Sequence, residues 1–201
     1  YSITMTFKLG LTGSIGMGKS TTAQIFVNLG CDLWDADEAV HRLYSFAGAG
    51  VAPIAAIFPE AIIDGEVSRS VLKSIIANDT TALSQIEAVI HPLVFEDRKI
   101  SIEKSKSDII VLDIPLLFEK SAETLLDATV CVYVSTDIQE DRVLNRGNLS
   151  HSEFLIILNN QMLNTTKCEL ADYTIKTDTI VHAQIQAQEI LKEIRKKIIN
   201  A

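Results

Sequence analysis

The run Gly13-Ser14-Ile15-Gly16-Met17-Gly18-Lys19-Ser20 leaves this chain fewer possible folds than any other stretch, because it fits G-x-x-x-x-G-K-[ST] with the flanks that pattern needs. Phe7 to Leu11 is a short apolar strand, and Lys19 to Leu29 carries a helical pattern that stops at Gly30. Glycines let the backbone turn tightly and point successive N–H groups inward, so the loop is an anion receptor at a helix N-terminus. Lys19 then reaches the β- and γ-phosphates of a nucleoside triphosphate, and the Ser20 hydroxyl is placed for Mg²⁺. The plain alternative is a glycine-rich turn opening an ordinary helix, which does not require every fixed position to be filled. The motif does not choose between kinase, ATPase and GTPase.

Apolar strand-like runs recur at Phe7 to Leu11, Cys31 to Trp34, Ile109 to Leu112, Val130 to Val134 and Tyr173 to Ile175, with helical patterns between them. That order predicts an α/β fold, a parallel five-stranded sheet with helices on both faces. Between Ala39 and Lys106 the chain shows no strand pattern. Its amphipathic stretches around Val51 to Phe58, Ser70 to Ala77, Ala82 to Ile90 and Val94 to Lys106 predict an inserted helical subdomain. His91-Pro92 closes one of those patterns, since proline disfavours the helical region for its predecessor. Beyond Val134, Asp137-Ile138-Gln139-Glu140 reads as a helix start and Gly147 as its end, and Ser150-His151-Ser152-Glu153 opens a second helix with a capping box. Two helices joined at Gly147 and Asn148 can move as a lid. From Ile180 onward Ile185, Ile190, Leu191, Ile194 and Ile198 recur at helical spacing.

At 201 residues and 47% apolar content the chain is long enough for one well-packed domain with a small insertion. Its net charge of −8 and pI near 5.0 argue against a sequence-independent grip on nucleic acid, which needs a basic face. Lys192, Arg195, Lys196 and Lys197 instead complement the dipole of the last helix. Cys31, Cys131 and Cys168 are odd in number, far apart in sequence and without metal-ligand spacing, so neither a disulfide framework nor a zinc site is expected. Cys31 and Cys131 read as small core residues of a reduced, intracellular protein. No run approaches the roughly 20 apolar residues of a membrane helix, and no signal-peptide pattern precedes the first strand. The expectation is a cytoplasmic protein, a monomer or weak homo-oligomer, without nucleic-acid or membrane partners.

Ligands of open α/β sheets bind beyond the carboxyl ends of the strands, which directs attention to Asp35-Ala36-Asp37. In an extended Asp-x-Asp both side chains point the same way, so one orients or deprotonates an attacking hydroxyl while the other organises metal-bound water. The competing use is to cap the helix beginning near Glu38. Asp113, at the end of the strand from Ile109 to Leu112, either supports a metal or makes a structural hydrogen bond, and Pro115 turns the chain out of the ladder. Arg142 and Arg146, four apart on one helix face, either clamp phosphates or form surface ion pairs with Asp141 or Glu140. His91 beside Pro92 reads as structural, and Trp34 as core or crevice wall.

Taken in order, LTGSIGMGKST, Leu29-Gly30 followed by Asp35-Ala36-Asp37, Gly65 with Arg69, Ile90-His91-Pro92, Asp113 through Glu119, Arg142 with Arg146, Gln161 and Ala171-Asp172 resemble bacterial dephospho-CoA kinase. That family phosphorylates the ribose 3′-hydroxyl of dephospho-CoA at the last step of coenzyme A synthesis, and the likeness runs from about Lys8 to the final helix. The resemblance implies a P-loop kinase fold, similar to nucleoside-monophosphate kinases, as a single domain over 7–201. Its core is 7–38, 107–137 and 170–201, its helical acceptor-binding insertion 39–106 and its lid 138–169. It implies ATP with Mg²⁺ and dephospho-CoA as substrate. The nucleotide would lie on Gly13, Gly16, Met17, Gly18, Lys19, Ser20 and Thr21, with Arg146 from the lid, and the metal on Ser20 and Asp113. Asp37 would be the base or hydroxyl-orienting group, with Lys19 and Arg142 at the transferred phosphoryl group, and Asp35, Arg69 and His91 on the acceptor side. Ile157 stands where many members carry Arg, Thr177 where Asn is usual, and His41 where relatives have Arg or His. The alternatives are another P-loop kinase of a nucleotide or small alcohol such as shikimate, and a regulatory ATPase switch.

Overall fold

Strand β1 (Phe7–Thr12), buried from Leu9 onward, is the middle strand of a five-stranded sheet ordered β2-β5-β1-β6-β7. The others are β2 (Asp32–Asp35), β5 (Ile109–Asp113), β6 (Ala128–Tyr133) and β7 (Tyr173–Lys176). β1 runs parallel to β5 and β6, and β6 parallel to β7, so the near-continuous apolar runs of the sequence are strands covered on both faces. The computed structural model describes residues 6–200, and the segment before Thr6 and residue 201 lie outside it. The described chain forms two units, one running to Leu33 and resuming at Ser105, the other Trp34–Lys104.

In the first unit α1 (Lys19–Asn28) and α9 (Ile180–Ile199) pack on each other and on the sheet, around Leu9, Phe26, Ile109, Val130, Ile175 and Ile194. α1 ends where Gly30 adopts φ 90°, with Gly30 N–H donating to Val27 O and Cys31 N–H to Phe26 O, a Schellman closure. The inward stripe of α9 is Ala183, Ala187, Ile190, Leu191 and Ile194, and Ile185, expected on it, is half exposed. Beyond β6 follow α6 (Thr136–Asn145), α7 (His151–Asn159) and α8 (Asn164–Leu170). α6 starts at Thr136 after Ser135, so Asp137 sits inside its first turn and is not its cap. α7 carries the expected box: Glu153 N–H donates to Ser150 Oγ, and Ser150 N–H to Glu153 Oε2 at 2.8 Å. α8 has no counterpart in the sequence reading.

In the second unit α2 (Ala36–Tyr44), α3 (Val51–Ile57), α4 (Arg69–Asn78) and α5 (Ala82–Lys104) enclose a core of Leu43, Ile54, Phe58, Leu72, Ile86 and Ile90. Two features differ from expectation. A two-stranded antiparallel hairpin, β3 (Ile62–Ile63) and β4 (Glu66–Val67), turns on Asp64 (φ 51°) and Gly65 (φ 83°), the Asp-Gly pair that two-residue hairpin turns favour. α5 also continues through Pro92 as one helix. An interior proline costs about 3 kcal/mol, and burial of Ile86 and Ile90, each contributing about 1.5–3 kcal/mol, offsets it. Among the described residues no helix is long and apolar enough to cross a membrane.

Candidate active site

The chain leaves β1 at Thr12 and turns through Gly13 to Gly18 before α1 begins. Gly16 (φ 78°) lies in the left-handed region, and a Cβ there would stand 2.7 Å from Val143 Cγ2 and 2.9 Å from Gln139 O. Gly18 (φ 92°) is the N-cap of α1 and, having no side chain, leaves the first N–H groups of that helix to an anion. Parallel pairing sets Leu11 of β1 opposite Asp113 of β5, which brings a carboxylate level with the loop. Lys19 Nζ pairs there with Asp113 Oδ1, and Asp113 is almost completely buried.

The loop is held from outside by side chains of later elements. Ser14 N–H donates to Asn164 Oδ1 at 2.8 Å and Ile15 N–H to Gln161 Oε1 at 3.3 Å. Gln139 Nε2 donates to Ile15 O at 2.7 Å, and Thr177 Oγ1 to Met17 O at 2.6 Å. The strand that ends at Asp113 is tied in the same way, for Pro115 O accepts Thr12 Oγ1 at 3.1 Å and Lys167 Nζ at 3.0 Å. Lys167 is fully buried and pairs at 2.8 Å with Glu119, which also accepts Met162 N–H. Burial pushes the Glu119 carboxyl up, but the Lys167 bond and charge together with backbone hydrogen bonds, Met162 N–H among them, outweigh it and the group stays below its ordinary range.

Arg142, on α6, donates from Nη2 to Thr177 O at 2.5 Å and from Nη1 to Thr177 Oγ1 at 3.2 Å. Those partners replace the surface ion pairs weighed from the sequence, and Glu140 pairs with His151 at 3.0 Å. Arg146 is the exposed C-cap of the same helix. Both arginines line a cavity of about 290 Å³ with Gly18, Thr21, Thr177 and Asp178. Gly13, Gly16, Met17, Gly18, Lys19, Ser20, Thr21, Asp113, Arg142 and Arg146 therefore all belong to the first unit, on the loop, beside it or on the helix that flanks it.

Asp35, Asp37, Arg69 and His91 belong to the second unit. Asp35 Oδ1 accepts the N–H groups of Asp37 at 2.8 Å and Glu38 at 3.0 Å, so α2 starts at Ala36 and the Asp-x-Asp is not extended. Asp35 is a helix cap, and Asp37 is exposed in the first turn. Arg69 opens α4 with its Cζ 5.8 Å from the centroid of the Tyr44 ring. His91, exposed, stands 3.8 Å from Glu87 one turn earlier. Trp34 is buried, its Nε1 donating to Asp97 at 2.7 Å. The loop braces Gln139 and Asn164, and the buried Lys167, were missed. An amide or lysine on a helix has no spacing signature, and the departure at Thr177 was the one signal available.

The dephospho-CoA kinase family model matches residues 7–189. Dephospho-CoA kinase of Ruegeria pomeroyi is 55% identical over 197 residues, covering 98% of this chain and 100% of that one. A solved structure from Thermus thermophilus superposes with a TM-score of 0.84 at 28% identity, covering 94% and 97% of the two chains. Dephospho-CoA kinase from Campylobacter jejuni, at 24% identity and TM-score 0.68 over 94% and 98%, shares the fold.

Proposed function

The chain belongs to the dephospho-CoA kinase family, and from that premise we propose that it transfers the γ-phosphoryl group of ATP to the ribose 3′-hydroxyl of dephospho-CoA, giving coenzyme A and ADP. The observation that carries the reading is the grouping of Lys19, Asp113 and Arg142 with a glycine loop whose outer carbonyls and N–H groups are already satisfied. Such a loop keeps its inward N–H groups for phosphate without reorganising, the condition under which electrostatic stabilisation is strongest.

Lys19 leaves Asp113 for the β- and γ-phosphate oxygens when nucleotide arrives, and the adenosine end occupies the cavity under Arg142 and Arg146. Arg142 turns from Thr177 toward the transferred phosphoryl group as the lid closes. Among the described residues no cluster of three or more His, Cys, Asp or Glu could hold a metal, so a divalent ion here would take most of its ligands from phosphate and water. Ser20 Oγ and the Asp113 carboxylate are the hard oxygen donors that fit Mg²⁺ and would hold it; when bound, it neutralises charge between the β- and γ-phosphates. Asp37 orients or deprotonates the 3′-hydroxyl, and Asp35, Arg69 and His91 line the path of the acceptor along the helical insertion. The enzyme works in the cytoplasm as a monomer or weak homo-oligomer.

Coupled measurement of ADP release over a panel of acceptors tests this. Dephospho-CoA is expected to give the highest kcat/KM, with coenzyme A as product. A nucleoside monophosphate or shikimate outperforming it, or ATP hydrolysis indifferent to acceptor, overturns the assignment.

A further inference from the structure

Cys131 and Cys168 are separated by a helix pair in sequence, yet their sulfur atoms lie 3.3 Å apart in space. Cys131 is buried in β6, and Cys168 is half-buried on α8, where it lines a cavity of about 640 Å³ that also reaches Ser14, Met17 and Asn164. We propose that this pair is a reversible dithiol–disulfide site, oxidised by a peroxide entering through that cavity, and that the phosphate-binding loop reads its state through Asn164.

The pairing is nearly made. A disulfide needs its sulfurs at about 2.05 Å, so closure moves them by roughly 1.2 Å, within reach of side-chain rotation and a small shift of one helical turn. The two thiols are unlike. Once Cys168 ionises, Cys131 donates to its sulfur, which holds the Cys168 pKa below the ordinary thiol value, while Cys131, losing that donation and being buried, is pushed far up. Asn164 Nδ2 stands 3.7 Å from Cys168 Sγ and adds a second donor. The more exposed, more acidic sulfur attacks first. The Cys168 thiolate attacks one peroxide oxygen, forming an S–O bond as the O–O bond breaks, and becomes a sulfenic acid, while the other oxygen leaves as water or alcohol with the proton it takes up. Cys131 sulfur then attacks the sulfenic sulfur, forming the S–S bond and releasing hydroxide, which leaves as water with the Cys131 proton. Two thiols and one peroxide yield one disulfide, with both electrons transferred to the oxygens. A thiol such as dithiothreitol reverses it by exchange.

The coupling to the loop is direct. Asn164 is four residues before Cys168 and so on the same face of α8, and its amide joins Val132 O, at 3.0 Å from Nδ2, to Ser14 N–H, at 2.8 Å from Oδ1. Pulling Cys168 toward Cys131 drags this turn and loosens the brace on Ser14, whose backbone belongs to the anion nest.

The test needs no assumption about the acceptor. Reduced protein is treated with hydrogen peroxide, digested without reductant and mapped, while ATP affinity is measured by calorimetry before, after and following dithiothreitol. The expected result is a Cys131–Cys168 linked peptide and an ATP Kd raised about fivefold or more, the lower end of ordinary coupling, with full recovery on reduction. Cys168→Ser and Cys131→Ala each abolish the linkage and the loss of affinity. Asn164→Ala still forms the linkage, but its ATP Kd no longer responds to it. Absence of the linked peptide in folded wild-type protein, a linked protein with unchanged ATP Kd, or an undiminished response in Asn164→Ala overturns the proposal. This inference rests on the phosphate-binding loop taking ATP; failure of the dephospho-CoA reading appears separately, in the acceptor panel run on the reduced protein.

Discussion

Asp35 and Asp37 lie two residues apart, but one carboxylate is committed to backbone N–H groups and the other is exposed beyond the helix start. Their substitutions should therefore separate. Asp35→Ala removes a cap and costs about 1 kcal/mol of stability, read as a lower urea midpoint. Asp37→Asn keeps the fold and the ATP Kd but lowers kcat by about 10²–10⁴-fold, the range for losing a general base. Unchanged turnover in Asp37→Asn would remove it from the mechanism. The sequence reading allowed both uses and pictured an extended pair. What decided the geometry was local: an aspartate ahead of Ala36-Asp37-Glu38 satisfies two orphan helix donors, a gain the strand could not match.

At the level of elements, the phosphate loop is a product of α6, α8 and the β7–α9 connection as much as of its own glycines. Gln139, Gln161, Asn164 and Thr177 each bind an outward-facing backbone group of the loop. Gly16 is where this scaffold approaches most closely. Gly16→Ala would place a methyl group against Gln139 O and Val143 at a positive φ, straining the loop by about 1–3 kcal/mol. ATP affinity should fall roughly 10-fold or more, as 1.4 kcal/mol is a factor of ten, while the far-UV circular dichroism spectrum is unaltered; an unchanged ATP Kd would show that the loop tolerates the methyl. The loop itself was legible because its chemistry needs fixed residues at fixed spacing. Its braces were not, because a side-chain amide can reach the loop from many sequence positions. Asp64-Gly65 carried a readable hairpin signal that the surrounding helical pattern hid, and Pro92 misled because packing around Ile86 and Ile90 overrides one lost backbone bond.

For the whole molecule, stability against pH follows in part from two hydrogen-bonded carboxylates of the first unit, Asp32 and Asp108. The chain leaves that unit after Leu33 and resumes it at Ser105, and Asp32 Oδ2 accepts Ser105 Oγ at 2.7 Å and the N–H groups of Lys106 and Ser107. Next to them Asp108 pairs with Arg195 of α9 at 2.7 Å. The Ser105 bond lowers the Asp32 pKa and the Arg195 bond lowers that of Asp108. A carboxyl with a lower pKa folded than unfolded contributes stability above its unfolded value and loses it as pH falls through the folded one. The urea midpoint should thus hold steady from neutrality to about pH 5 and decline below it. On the other side, burial pushes the Cys31 thiol up from 9.0 to about 11, so its contribution is complete below the unfolded value and fades as pH rises from about 9 toward 11. Asp32→Asn is expected to be less stable at pH 7 but flatter toward acid, and Cys31→Ala flatter toward alkali, when midpoints are measured across the range. An acid slope in Asp32→Asn equal to that of the unaltered protein would mean that the bonds from Ser105, Lys106 and Ser107 to Asp32 do not govern acid unfolding.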